Sequence, residues 1–262
     1  KKNGFQSYFS NKYAAAGMPL LVNVEVENEL VNSLRSSNYP SDDLFNCADD
    51  CKKILVIGDS VAEDLYLSIA SNSDVEGLDV RLVRFDDECM GSIKSVVDLS
   101  SESSCDKRFG SGIRFQELIS EASHIIISAK WQESTYQDGY RFSKIIDGNY
   151  DSKVYLVGSV LFTDLSSFSI KMWKNEYEFD DLAKILYDHQ RWDRRVISNK
   201  LRSMVADDKS LLWIEKSDFF CNELKKECSL FYSIDEPKIW DNTHLTTRSY
   251  NDYSHFILMH II

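Results

Sequence analysis

Basic residues are in short supply: 30 Lys and Arg stand against 42 Asp and Glu, a formal net charge of −12. That balance speaks against a nucleic-acid partner, whose phosphates call for a cationic surface. It also disfavours contact with anionic lipid. Neutral or cationic partners fit, a neutral polysaccharide among them. Only 3 prolines occur in 262 residues, too few for long disordered linkers. Long apolar runs are missing as well. Ile125–Ile127 and Phe256–Ile262, with its interior His260, fall far short of the roughly 18–20 residues that span a bilayer. Lys1-Lys2 leads into polar and aromatic residues, which is not the pattern of a cleavable leader. The chain starts without Met and is read as a mature or excised piece. No C-x-x-C pair and no His at ligand spacing is present, so neither a metal centre nor a cofactor is expected. No G-x-x-x-x-G-K-[ST] motif occurs, and Val61 stands where a phosphate-handling domain needs a second acid after Asp59.

What is present is enough apolar material, 43% of residues, for one sizeable α/β domain or one domain with an added segment. Six cysteines, Cys47, Cys51, Cys89, Cys105, Cys221 and Cys228, allow three disulfides in 15 connectivities. Pairing in sequence order (Cys47–Cys51, Cys89–Cys105, Cys221–Cys228) is the simplest closure, stapling small loops rather than the whole fold. Six buried free thiols are the alternative. The even count favours an oxidising compartment.

Residues 1–50 read as an attachment to a main domain at 51–262, with a partly strand-like stretch Pro19–Val26 and a short helix at Glu27–Leu34. From Lys52 the pattern changes. Lys53–Gly58 is a continuous apolar run, as in a strand buried on both faces of a parallel sheet. A helix is predicted over Ser60–Ala70, a strand over Leu78–Val83 and an amphipathic helix over Gly112–Ala122. Further strands fall at His124–Ser128, Lys153–Gly158 and Ser210–Ile214. Helices fall at Tyr136–Ile146, Phe179–Val205 and Thr246–Ile262. Five rounds of strand and helix predict an open parallel sheet covered on both faces. Sites in such sheets form at the carboxyl ends of the strands.

The first strand ends in Gly58-Asp59-Ser60 and a helix follows at once. A serine there lies at the sheet's carboxyl edge, near the positive end of a helix dipole. Its hydroxyl is a weak nucleophile until a base takes the proton, and a plain N-cap is the competing role. Of five histidines, His124 opens a strand at the wrong edge and His189 lies within a helix. His255 and His260 read as packing residues of the closing helix. His244 sits in a loop before that helix, three residues after Asp241. A carboxylate so placed can orient an imidazole and stabilise its cation. Asp252 and His255 repeat the spacing, but on one helix, which leaves Asp241/His244 as the pair able to converge on Ser60.

Ile57-Gly58-Asp59-Ser60 and Asp241-x-x-His244-Leu245-Thr246 resemble the first and last blocks of the SGNH hydrolase superfamily. His124–Trp131 ending in Ser-Ala-Lys-Trp, the Val157-Gly158 strand end, and Cys221 with Cys228 narrow the resemblance. They look like the periplasmic SGNH domain fused behind membrane acyltransferase-3 proteins, which O-acetylate bacterial surface polysaccharides such as the O-antigen. The resemblance covers about residues 50–262. It implies a flavodoxin-like three-layer α/β/α sandwich with a five-stranded parallel sheet, an acyl-serine intermediate and no metal. It also implies a periplasmic location and a membrane acyltransferase-3 domain in the same full-length protein, which would tether this part to the inner membrane. The implied partners are an acetyl donor and a polysaccharide acceptor.

By the same resemblance the backbone N–H groups of Ser60 and Gly91 hold the oxyanion. The asparagine usual after the third strand is replaced by Ala129-Lys130-Trp131-Gln132, so Gln132 or Lys130 is expected to substitute. Losing one such donor costs about 100–1000-fold in turnover. Trp131 and Asp59 are candidate substrate contacts, with core packing and a turn-stabilising hydrogen bond as their plainer roles. A carbohydrate acetyl esterase would use the same residues. A non-catalytic glycan-binding module would use aromatic surfaces instead.

Overall fold

A computed structural model of the chain describes residues 24–38, 44–47, 51–72, 77–84, 112–162, 171, 174, 178–233, 236–239 and 243–262. Five parallel strands form one sheet: β1 (Lys52–Gly58), β2 (Leu78–Arg84), β3 (His124–Ser128), β4 (Lys153–Val157) and β5 (Leu211–Ile214). Their order is β2-β1-β3-β4-β5, so the winding reverses between β1 and β3. Crevices outside the carboxyl ends of strands open at such a reversal.

The apolar run of β1 explains the layering. Ile54 and Val56 pack into one core with α2 (Ser60–Ala70), α5 (Phe179–Asp188) and α8 (Tyr250–Ile261). Leu55 and Ile57 pack into the other with α3 (Gly112–Glu121), α4 (Tyr136–Asn149) and α6 (Trp192–Ala206). All four side chains are fully buried, each stabilising the sheet by about 1.5–3 kcal/mol relative to exposure. The three-layer α/β/α sandwich expected from the sequence is the observed fold. Among the described residues no helix is long and apolar enough to cross a membrane.

Three readings change. The predicted helix over Phe179–Val205 is two helices, α5 and α6. Between them Gln190 bridges Phe162 and the Arg191 N–H donates to Leu161 O (2.9 Å). The polar run His189-Gln190-Arg191 has no apolar face to bury, and its backbone turns to the loop after β4. Val24–Val26 belongs not to a strand but to helix α1 (Val24–Asn38), whose Val31 and Leu34 rest against the first core. Two small hairpins follow the four-residue helix α7 (Ser217–Phe220): β6 (Cys221–Asn222) with β7 (Glu227–Cys228), and β8 (Phe231–Ser233) with β9 (Glu236–Pro237). Such short strands carry no readable period. Cys221 lies opposite Cys228 and the two form a disulfide, as do Cys47 and Cys51. Cys89–Cys105 lies outside the described residues.

Candidate active site

β1 ends where it touches β3, with Gly58 paired to Ser128. Gly58 has φ +149, and a Cβ there would collide with the Ser128 carbonyl oxygen. Glycine is therefore required for the chain to turn into α2. Asp59 is the N-cap of that helix. Its Oδ1 accepts from the Val61 N–H (2.8 Å) and its Oδ2 from the Lys130 N–H (2.7 Å). The Gly58–Ser60 turn is thus strapped to the loop after β3. Because Asp59 caps the helix, Ser60 becomes its first residue with the hydroxyl free of that duty. Ser60 Oγ lies 3.0 Å from His244 Nε2, both side chains half-buried.

The segment bearing His244 is held from both sides. Leu245 bridges Ile239, and the Thr246 N–H donates to Lys238 O (2.9 Å). The Thr246 hydroxyl donates to Pro237 O (3.0 Å) and the Ser249 hydroxyl to Lys238 O (2.8 Å). From α2, Asp64 Oδ2 accepts the Leu245 N–H at 3.2 Å. Asp64 is only 6% exposed, where a charge-assisted hydrogen bond contributes about 1.5–3 kcal/mol. From α1, the Glu27 carboxylate accepts the Thr247 N–H (3.0 Å) and hydroxyl (3.2 Å). Ser60 and Asp64 stand one helical turn apart, so a single face of α2 presents the hydroxyl and anchors the imidazole's neighbour.

A family model described as "SGNH domain (fused to AT3 domains)" matches residues 34–250. The chain belongs to this SGNH family. Among solved structures, the SGNH domain is similar to the periplasmic domain of a lipopolysaccharide acetyltransferase from Salmonella ser. Paratyphi A. The TM-score is 0.63 at 13% identity, covering 93% of this chain and 99% of that one. It also matches a Streptococcus pneumonia protein described as a platelet activating factor, at TM-score 0.47 and 10% identity, covering 91% and 94%. No curated protein matches.

Other expected members of the SGNH site fall differently. Trp131 is fully buried, its indole N–H donating to Val157 O (2.7 Å), and Gly139 leaves room for its ring. It offers a substrate no surface and is a core residue instead. Asp59 likewise spends both carboxylate oxygens on backbone amides and is 6% exposed, so it stabilises the turn rather than contacting substrate. The Lys130 N–H is taken by Asp59, and the Gln132 N–H donates to Thr135 Oγ1 (3.1 Å). Only their side chains are left as oxyanion donors. Asp241 and Gly91 lie outside the described residues.

The remaining histidines stand apart from Ser60. His124 opens β3 at the amino edge, and burial together with Lys153 and Lys52 lowers its pKa. His189 caps α5 at its carboxyl end. His255 and His260 are exposed, each with Nδ1 at 2.8 Å from a carbonyl one turn back, and the His260 ring rests against that of Phe256 (centroids 4.8 Å apart). Asp252 accepts from the Tyr232 hydroxyl (2.6 Å). The residue that sequence reasoning missed is Asp64, although its spacing from Ser60 was the signal. Among the described residues, no three His, Cys, Asp or Glu converge as a metal site.

Proposed function

We propose that this SGNH domain is an O-acetyltransferase acting through an acyl-serine intermediate, with a hydroxyl of a bacterial surface polysaccharide such as O-antigen as acceptor. The observation that carries this reading is the 3.0 Å approach of His244 Nε2 to Ser60 Oγ, the reach needed for direct proton transfer. His244 takes the Ser60 proton as Oγ bonds to the donor's acyl carbon. The oxyanion is held by the Ser60 N–H, with Gly91 and the side chain of Gln132 or Lys130 in support. Collapse breaks the bond to the donor's oxygen, which leaves with the proton from His244. A sugar hydroxyl then gives its proton to His244 and attacks the acyl carbon; collapse breaks the bond to Ser60 Oγ, which takes the proton back from His244. Asp241 orients the imidazole and stabilises its cation. Acidification lowers activity because the base form of His244 is required.

In the same reading the domain is periplasmic and tethered through a membrane acyltransferase-3 domain, with residues 1–50 as the connecting extension. The family's fusion to AT3 domains supports that arrangement. The test is intact-protein mass spectrometry after incubation with 4-nitrophenyl acetate. An added acetyl located on Ser60, discharged faster when a sugar acceptor is supplied, is the expected result. Discharge at one rate with and without acceptor makes the domain an esterase. No adduct, also with a serine-reactive phosphonate, ends the enzyme reading.

A further inference from the structure

A second feature lies along the same carboxyl edge, beyond β3. Between the ends of β4 and β5 and the flank of α6 is a cavity of about 140 Å³. Strand spacing of about 4.8 Å puts it roughly 10–14 Å from the end of β1. Its wall carries Arg191, the N-cap of α6, and on α6 itself Arg195, Ser198 and Arg202, spaced three and four residues apart and therefore on one helical face. Gly158 lets the end of β4 come close to two lining residues, since a Cβ there would approach Ser198 Oγ and Glu215 Oε1 to 2.8 Å each.

Two hydroxyls lining the cavity are buried without a hydrogen-bond partner among the described residues: Ser159, 6% exposed, and Ser198, 3% exposed. Buried hydroxyls left unpaired are costly and need explaining. The charges around them balance, with Arg191, Arg195 and Arg202 against Glu215, Asp218 and Glu223. Arg195 is fixed by Glu223 (2.5 Å) and lies over the rings of Tyr187 and Trp192. Trp192, between the lining residues Arg191 and Arg195, is 70% exposed, unusual for so large an apolar side chain.

Unsatisfied hydroxyls, balanced charge and an exposed aromatic suit a neutral, hydroxyl-rich ring. A sugar's polar edge would meet the serines and Glu215, and its C–H face a ring's negative face. Phosphate would meet three acids beside the three arginines. We infer that this cavity is a subsite for one sugar ring of the acceptor glycan, set along the sheet edge from Ser60. Its assignment to the acceptor rests on the acyl-transfer reading above; binding itself does not.

The test titrates methyl glycosides of glucose, galactose, mannose and rhamnose into the chain, followed by saturation-transfer NMR and tryptophan fluorescence. At least one is expected to bind saturably with Kd below about 10 mM. Ser159→Ala or Ser198→Ala should weaken it about fivefold, one neutral hydrogen bond each, and Trp192→Ala about five- to tenfold. Melting temperature should hold in both serine variants, because no hydrogen bond among the described residues is lost. Hydrolysis of 4-nitrophenyl acetate should be unchanged in all three. No binding by any glycoside overturns the inference, as does binding indifferent to the three substitutions or displaced by inorganic phosphate. Sugar binding that responds to the substitutions in a chain unable to take acetyl from 4-nitrophenyl acetate leaves the subsite standing and removes the acyl-transfer reading alone.

Discussion

The two ends of one sheet edge are built on opposite principles. Around β1 and β3 the groups beside Ser60 are paired: Asp59 ties two backbone amides, Asp64 ties the Leu245 amide, and Ser60 meets His244, while the Ser128 hydroxyl at the end of β3 is buried without a partner among the described residues. Around β4 and β5 two buried hydroxyls lack a partner among the described residues and an exposed tryptophan stands nearby. A nucleophile and its base must be held within tenths of an ångström, because misplacement by 1 Å can cost about 100-fold in rate. A ligand subsite must instead keep its polar groups uncommitted until the ligand arrives. Under the proposed function, the contrast is between one end fixed for chemistry and the other left open for recognition.

The sharpest test removes the groups at the fixed end. Ser60→Ala and His244→Ala should each lower 4-nitrophenyl acetate turnover by about a thousandfold or more, with circular dichroism and melting temperature unchanged. Retained activity in either variant would break the comparison at its centre. Next in size is Gly58→Ala. Its Cβ collides with a backbone carbonyl that the paired strand cannot withdraw, so the variant should lose about 3 kcal/mol or more in urea unfolding. Stability close to wild type would mean that the turn at β1 is less constrained than its pairing implies.

Asp64→Asn probes the same end without touching the reacting atoms. Asn keeps one acceptor but loses the charge that strengthens the bond to the Leu245 N–H, so about 1–2 kcal/mol of stability should go. Because the imidazole is set by that segment, kcat should fall about 10–100-fold while KM stays near wild type. A fall in stability with kcat intact would make Asp64 a brace for α8 alone, and the fixed end would shrink to Ser60 and its turn.

How much of this was legible follows from how local each signal is. The β1 run and the Gly58-Asp59-Ser60 turn are contiguous, so the helix over Ser60–Ala70 has the same bounds in sequence and structure. His244 was reachable by elimination, since the other four histidines lie on strands or helices or at their ends. The break at His189–Arg191 was not legible, because it depends on Leu161 and Phe162, far back in the chain. Trp131 could be read two ways, as its partners Val157 and Gly139 show no pattern with it. The open end was hidden altogether: Ser159, Ser198 and Glu215 come from three elements that only folding brings together.

The smallest expected effect concerns Glu215, at the open end, whose pKa is raised chiefly by desolvation, with Asp218 adding to it and hydrogen bonds from Ser217 and Trp213 opposing it. A carboxyl whose folded pKa lies above its unfolded value holds its proton longer in the native state. Below the unfolded value, near 4.5, both states are protonated and no penalty arises. As pH rises past it the unfolded chain releases the proton first, so stability declines until the native carboxyl also ionises and stays lower beyond. Glu215→Gln removes that decline. Gln can accept with only one oxygen, so it gives up a bond from Trp213 or Ser217, but it does not titrate and so adds no slope of its own. The readout is therefore the slope: between pH 4 and 7 the melting temperature of wild type should fall relative to the variant. Parallel curves would show that Glu215 is already well solvated by its partners, and the open end would then store less unsatisfied polarity than its two serines suggest.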